Sequence, residues 1–255
     1  MSSFSDSDLT CNDFLGGRVR LWQPRSGYRA GVDPVLLAAS VPAQAGQSVL
    51  ELGCGAGAAI QCLMARVPHL KATGVELQAG YADLARRNSE QNAAITVVEA
   101  DLNALPNDLR QEQFDHVIAN PPYYRAGAHS PATDAGRQIA LGEDTPLEDW
   151  INVAARRLAP RGYLHMIQRA DRLPDMLAGC AGRLGSIQVL PLAPRADRAS
   201  ELVILRARKG GRAAFRLHAP LILHLGDRHV EDGESYTPKV SAVLRDGADL
   251  TGHFA

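Results

Sequence analysis

The chain has 255 residues, 45% of them hydrophobic and 22% charged, with a formal net charge of −1. That length suits one large α/β domain or two small ones, with room for an ordinary core. The charge balance excludes a uniformly basic chain, so any nucleic-acid contact has to come from local clusters; no apolar run approaches the ~20 residues that a membrane span needs.

The N-terminus, Met1-Ser2-Ser3-Phe4-Ser5-Asp6, has neither a basic nor an apolar signal region, and no secretory signal is expected. Residues 1–12 are polar and expected to fray. The segment Phe14 to Gln23 reads as a hairpin. Asp33 is placed as an N-cap and Pro34 as the first residue of an apolar helix, Pro34 to Ala39. From Ser48 the pattern alternates. Strands are expected at Ser48–Leu52, Lys71–Leu77, Ile95–Glu99, Phe114–Ala119, Gly162–Ile167, Ile187–Leu190 and Leu202–Arg208. Helices are expected at Gly57–Arg66, Ala79–Asn92, Leu147–Leu158 and Asp171–Leu184. This order implies an α/β fold whose mostly parallel, seven-stranded sheet carries helices on both faces. Residues 125–146, rich in Gly, Ala and Thr, read as a long loop or lid.

Ligands of such sheets bind beyond the C-terminal ends of the strands. Three such ends carry chemistry. The first strand runs into Glu51-Leu52-Gly53-Cys54-Gly55-Ala56-Gly57, where alternating glycines allow a tight turn and close approach to a ligand. The next strand ends at Glu76, where a carboxylate can accept hydrogen bonds from ribose hydroxyls. The third is followed by Asp101, suited to an adenine amine. Each acid has an ordinary alternative as a solvated loop residue or helix cap. A dinucleotide loop usually reads G-x-G-x-x-G; here the third glycine comes one residue early. E-x-G-x-G-x-G resembles the first motif of the class I, Rossmann-like methyltransferases. The resemblance spans roughly residues 28–209 and implies S-adenosyl-L-methionine as cofactor, held by Glu51, Gly53, Gly55, Gly57, Glu76, Asp101 and Asn120. It implies one methyltransferase domain over 1–255, with an N-terminal extension to residue 46 and a Rossmann-like core from 47.

The fourth strand runs straight into Asn120-Pro121-Pro122-Tyr123. Two prolines end the strand and stiffen the turn. A planar amine is a poor nucleophile because its lone pair is delocalised. Two directed acceptors, the Asn120 side-chain oxygen and the Pro121 carbonyl, can hold its N–H groups so that the lone pair faces a methyl donor. Tyr123 can stack on the planar group, and catalysis is then mostly orientation. Asn120, Pro121 and Tyr123 are the catalytic candidates. The tetrapeptide resembles the [N/D/S]-P-P-[Y/F/W] amino-methyltransferases. It does not separate adenine N6, guanine N2 and glutamine N5.

The 50 residues before Glu51 are too few for the helical domain of release-factor glutamine methyltransferases plus the sheet entry. The segment from Phe14-Leu15-Gly16-Gly17 through Gln23-Pro24-Arg25-Ser26-Gly27-Tyr28-Arg29-Ala30-Gly31-Val32-Asp33-Pro34-Val35-Leu36-Leu37, with the other two motifs, resembles the bacterial tRNA adenine N6-methyltransferases. The resemblance implies an RNA partner, a tRNA, since the family's described target is an adenine beside the anticodon of valine tRNA. It also implies that residues 24–34 form a lid, with Arg29 and Asp33 near the methionine end or the incoming base. A surface ion pair and a helix cap are their other readings. Pro122, Tyr124 and Arg125 complete the substrate candidates: Tyr124 by stacking on an unstacked base, Arg125 by meeting a phosphate. Arg195, Arg198, Arg206, Arg208, Lys209, Arg212 and Arg216, countered by Asp197 and Glu201, form a basic stretch that suits a phosphate backbone or a solvated face. rRNA guanine, protein glutamine and a binding module without turnover remain the rival readings. The eight histidines show no metal spacing, and His116 reads as a satisfied core residue; Trp22 and Trp150 read as packing residues. The four cysteines, Cys11, Cys54, Cys62 and Cys180, lack C-x-x-C pairing, so no metal or disulfide framework is expected and a reducing cytoplasm suits the chain.

Overall fold

The computed structural model describes residues 4–90, 92–125, 142–143, 145–226 and 235–255. An antiparallel hairpin, β1 (Leu9–Phe14) and β2 (Val19–Pro24), opens the chain. Residues 9–12, expected to fray, are four of the six residues of β1, because Leu9 is buried against Ala56 of the glycine loop and Leu84 of the helix Ala79–Ser89.

Helix α1 (Asp33–Ser40) leads into β3 (Ser48–Leu52), α2 (Ala58–Arg66), β4 (Lys71–Glu76), α3 (Ala79–Ser89) and β5 (Ile95–Glu99). A short α4 (Asn107–Gln111) precedes β6 (Phe114–Ala119). The two-residue strands β7 (Tyr124–Arg125) and β8 (Gly142–Glu143) pair with each other. Then come α5 (Leu147–Arg157), β9 (Leu158–Arg169), α6 (Leu173–Cys180), β10 (Gly185–Ala193) and β11 (Leu202–Arg208). Short β12 (Arg216–Leu217) and β13 (Leu221–Ile222) and helix α7 (Pro238–Asp246) complete the described order.

The main sheet runs β12-β10-β11-β9-β6-β3-β4-β5, with β13 also beside β10. The stretch from β5 to β9 is parallel, and β11 is antiparallel to both β9 and β10. The seven expected strands are therefore present, and two short strands along β10 make nine. The interior strands are apolar on both faces. Val49, Ile118, Ile167 and Ile204 face one core with α1, α2 and α7. Leu50, Val117, Met166 and Leu205 face the other with α5 and α6. This two-sided burial is why these strands read as unbroken apolar runs.

The topology fixes where a ligand sits. The chain leaves β3 toward β4 and β5, then returns to place β6 on the other side of β3. The loops after β3 and β6 thus part at the switch point, where a crevice opens. The glycine loop and Asn120 are those two loops.

Several local expectations are corrected. Val32, not Asp33, is the cap residue of α1, and Asp33 is already helical with Pro34 in the first turn. The strand expected at Gly162–Ile167 extends to twelve residues, Leu158–Arg169. The helix expected over 171–184 is confined to Leu173–Cys180, because Asp171 lies in a preceding 3-10 turn. His116 is only half satisfied: its Nε2 meets Gln47 Oε1 at 3.1 Å while its Nδ1 is buried without a partner among the described residues. Most of the expected 125–146 lid lies outside the described residues. Among the described residues no helix is long and apolar enough to cross a membrane.

Candidate active site

A single crevice is walled by the loops after β3, β4, β5 and β6 together with residues 23–34 and α5. The glycine loop forms its floor. Gly53, Gly55 and Gly57 all take positive φ, 64°, 54° and 86°. At Gly53 a side chain is excluded twice, since a Cβ there would lie 2.6 Å from the Trp150 indole. The loop is pinned from outside by Asn88, whose Nδ2 donates to the Ala56 carbonyl at 2.9 Å and to the Trp22 carbonyl at 3.0 Å. The hairpin and the loop are thereby tied to α3.

Two carboxylates are buried in this wall. Glu51 Oε2 accepts the Ile60 N–H at 3.0 Å, on the first turn of α2. Burial pushes its pKa up to about 8, and the nearby Glu76 adds to the rise. Glu76 accepts the N–H groups of Gly55 and Gln78, both at 2.9 Å. Burial raises its pKa too, partly offset by those backbone donors. Two acids in one low-dielectric crevice favour a ligand that brings positive charge. Asp101 also reaches the crevice, and it caps the 3-10 turn that follows by accepting the Asn103 N–H at 2.8 Å. The cap reading and the ligand reading of Asp101 are compatible, because a carboxylate has acceptor sites to spare.

The fit to S-adenosylmethionine can be judged from the polar atoms left over. Asn120 Oδ1 and Gln78 Oε1 are buried acceptors with no partner among the described residues, and both residues line the crevice. Buried acceptors of this kind call for donors from a ligand. With Glu51 and Glu76 they suit a cationic amino-acid nucleoside bearing hydroxyl and amino hydrogens. Glu51, Gly53, Gly55, Glu76, Asp101 and Asn120 all line the crevice; Gly57 does not, and acts as the N-cap of α2.

The Asn-Pro-Pro-Tyr turn sits beside the crevice. Pro122 lines it with Asn120. Pro121 is buried behind them, and its carbonyl accepts Gln168 Nε2 at 3.3 Å. The Tyr123 hydroxyl donates to Asp33 Oδ2 at 2.5 Å, so α1 holds the tyrosine. Burial raises the pKa of Asp33, and the tyrosine hydrogen bond opposes that rise. Asp33 therefore meets the Asn-Pro-Pro-Tyr turn and is neither a helix cap nor half of a surface ion pair.

Arg29 is directed elsewhere. It is exposed and donates to Thr10 Oγ1, the Pro24 carbonyl and Asn12 Oδ1 at 2.7–2.8 Å, fastening residues 24–34 to the hairpin. Within that segment Tyr28, Ala30 and Pro34 wall the crevice. Tyr28 is clasped by Tyr81: its N–H donates to the Tyr81 oxygen at 2.8 Å, and the Tyr81 hydroxyl donates to the Tyr28 carbonyl at 3.1 Å. Tyr28, Tyr81, Gln23 and Trp150 were not singled out for the site by sequence. Trp150 was read only as packing, yet it packs on the glycine loop and faces the crevice. The side chains of Tyr124 and Arg125 lie outside the described residues.

The basic stretch of the C-terminal part does not form one patch. Arg195 and Arg198 lie in the β10–β11 loop, at the crevice end of the sheet. Arg206, Arg208 and Lys209 lead to the opposite end, where Arg208 pairs with Tyr163 at the start of the β9 ladder. Several are engaged within the fold. Arg195 donates to the Gly226 carbonyl at 2.8 Å, Arg206 to the Phe254 carbonyl at 2.8 Å, and Lys209 to the Leu158 carbonyl at 2.7 Å.

Residues 30–182 match the family described as Methyltransferase small domain. A tRNA1(Val) (adenine(37)-N6)-methyltransferase of Porphyromonas gingivalis is 31% identical over 185 residues, covering 66% of this chain and 72% of the relative. One from Shewanella baltica is 26% identical over 232 residues, 86% of this chain and 92% of the relative. A crystal structure from Agrobacterium tumefaciens, described as a predicted O-methyltransferase, is similar with a TM-score of 0.69 and 29% identity, over 85% of this chain and 97% of that one. An N-methyltransferase from Bradyrhizobium japonicum, in complex with S-adenosyl-l-homocysteine, shares the fold with a TM-score of 0.50 and 18% identity, over 69% of this chain and 84% of that one. This chain belongs to the methyltransferase small-domain family and is an S-adenosylmethionine-dependent methyltransferase.

Proposed function

We propose that the chain methylates the exocyclic N6 amine of an adenine in tRNA. The observation that carries this is Asn120 Oδ1: a buried acceptor, unpartnered among the described residues, on a proline-stiffened turn at the switch point of the sheet. It stands where an amine hydrogen can satisfy it. Asn120 and the Pro121 carbonyl hold the two N–H groups, turning the nitrogen lone pair toward the methyl. The bound cofactor supplies a methyl on a sulfonium, an electrophile that needs no metal. With the cofactor bound, the amine lone pair would take that methyl, sulfur would keep the electron pair of the broken C–S bond, and the nitrogen's surplus proton would pass to water. Glu51, Glu76, Asp101 and the glycine loop hold the cofactor. Asp33 sets Tyr123, which stacks on the base.

An oxygen acceptor is the reading suggested by the description of the Agrobacterium relative. It makes less use of the turn, because a hydroxyl brings one hydrogen to the two acceptors, Asn120 Oδ1 and the Pro121 carbonyl, where an amine brings two. The adenine assignment follows the names of the curated relatives, together with the amide acceptor. Its test is methyl transfer from labelled cofactor into fractionated RNA, with mass spectrometry of the digested nucleosides. N6-methyladenosine in the tRNA fraction is expected. N2-methylguanosine in its place, or label in protein glutamine, would overturn the proposal.

A further inference from the structure

β9 outruns β6 at the crevice end, and Gln168 is the residue it brings there. Ala119, the last residue of β6, pairs with Met166 of β9. Beyond it a parallel ladder cannot continue, because Pro121 and Pro122 have no N–H to give. The side chain of Gln168 takes the place of the missing rungs. Its Nε2 donates to the Pro121 carbonyl at 3.3 Å and to the Pro122 carbonyl at 3.1 Å. Its Oε1 accepts the Arg169 N–H at 2.8 Å. The residue is wholly buried, so no solvent competes for these bonds. Both amide hydrogens and the amide oxygen are used, and the amide plane is fixed by its own strand.

We infer that Gln168 is the positioning residue of the Asn-Pro-Pro-Tyr turn: it sets the direction of the Pro121 carbonyl and leaves that oxygen's second lone pair for the target amine. This rests on the reading of Asn120 and Pro121 as the paired acceptors. Gln168 does not touch substrate. It acts by holding one acceptor in place on the turn that also carries the other, Asn120 Oδ1, which has no partner among the described residues. A turn that rotates by even a small angle misaligns the nitrogen lone pair with the methyl, and misplacement of about 1 Å in such a transfer costs on the order of 100-fold.

The test uses the full chain and three substitutions, with kcat and KM on tRNA, calorimetric affinity for S-adenosylhomocysteine, and the thermal midpoint. Gln168→Asn keeps a buried amide but withdraws the donor by one methylene. Gln168→Leu removes the donor. Both are expected to lower kcat about 100-fold while affinity for S-adenosylhomocysteine stays within about threefold. Gln168→Glu is the discriminating variant. Its carboxylate faces two carbonyl oxygens and repels them when ionised, whereas the protonated form donates to one of them. Its kcat is therefore expected to rise as pH falls, across a window where the unsubstituted chain is flat. A residue that only fills space would not give such a profile. The inference is overturned if the Glu variant's profile parallels that of the unsubstituted chain, or if the Asn variant keeps kcat within about threefold. It is also overturned if none of the three folds, which would assign Gln168 to stability alone. Absence of transfer into tRNA by the unsubstituted chain would overturn the substrate reading and this inference with it; transfer with unaffected variants would overturn only the role of Gln168.

Discussion

Asn120 carries the chemistry because of what it lacks. Its Oδ1 is buried without a donor among the described residues, a state that costs about 1–3 kcal/mol unless a ligand supplies the hydrogen. Natural chains keep such an atom where binding relieves it. Asn120→Ala removes the acceptor and nothing that the fold uses. Its kcat is expected to fall by about 100- to 1000-fold, the range for loss of one preorganised hydrogen-bonding group. Affinity for S-adenosylhomocysteine should stay within a few-fold, and the thermal midpoint should hold or rise slightly as the orphan acceptor disappears. Steady-state kinetics with calorimetry reads both. A variant that keeps kcat within tenfold would remove Asn120 from the catalytic role.

At the scale of elements, the glycine loop is where backbone and packing meet most tightly. Gly53→Ala has to place a Cβ at φ 64°, against an indole 2.6 Å away. The left-handed backbone alone costs about 1–2 kcal/mol, and Trp150 is too buried to swing aside. Gly55→Ala bears only the backbone cost, since its nearest neighbour is Tyr28 at 3.7 Å. The Gly53 variant is therefore expected to have a clearly lower thermal midpoint than the Gly55 variant, and more than tenfold weaker binding of S-adenosylhomocysteine. Adding Trp150→Leu to Gly53→Ala should recover part of the midpoint, and strict additivity of the two changes would contradict the collision. The loop, both acids and Asn120 were legible because each follows a strand whose apolar run is plain. Asp33 was misread because the pattern Asp-Pro before an apolar run is a local cap signal, while its partner, Tyr123, is 90 residues away. Tyr28 and Gln23 reach the crevice through such long-range contacts too, and no spacing announces them. The C-terminal helix was legible in principle. Thr237 caps Val240 N–H, Pro238 opens the helix and Gly247 closes it at φ 61°, each an ordinary boundary signal.

Across the whole molecule, the central strands of the main sheet bury titrating groups of opposite kind, Glu51 on β3 and His116 and His165 on β6 and β9, and this gives the stability of the unliganded chain two limbs. At the crevice end Glu51 is raised from 4.5 to about 8, first by burial and further by Glu76. Below pH 4.5 the carboxyl is protonated in both the folded and unfolded chain and costs nothing. Between 4.5 and about 8 the unfolded chain releases that proton while the folded chain retains it, so each step up in pH favours unfolding. On the next two strands, His116 of β6 and its neighbour His165 of β9 titrate the other way: His116 is lowered from 6.5 to about 4, chiefly by burial, and the wholly buried His165 is lowered well below 6.5 for the same reason. Above 6.5 both rings are neutral in either state. As pH falls below 6.5 the unfolded chain takes up protons that the folded chain refuses, and stability is lost toward pH 4. His165 has neither ring nitrogen paired among the described residues, so a methionine there sacrifices no hydrogen bond. Thermal midpoints measured from pH 4 to 9 should show the two substitutions acting on different limbs. His165→Met is expected to flatten the fall below 6.5 and leave the upper limb unchanged. Glu51→Gln, which keeps shape and the Ile60 contact without a proton to lose, is expected to flatten the fall between 4.5 and 8 and leave the acid limb unchanged. If both substitutions moved one and the same limb, the assignment of the upper limb to a retained carboxyl proton and of the acid limb to refused imidazole protons would be wrong.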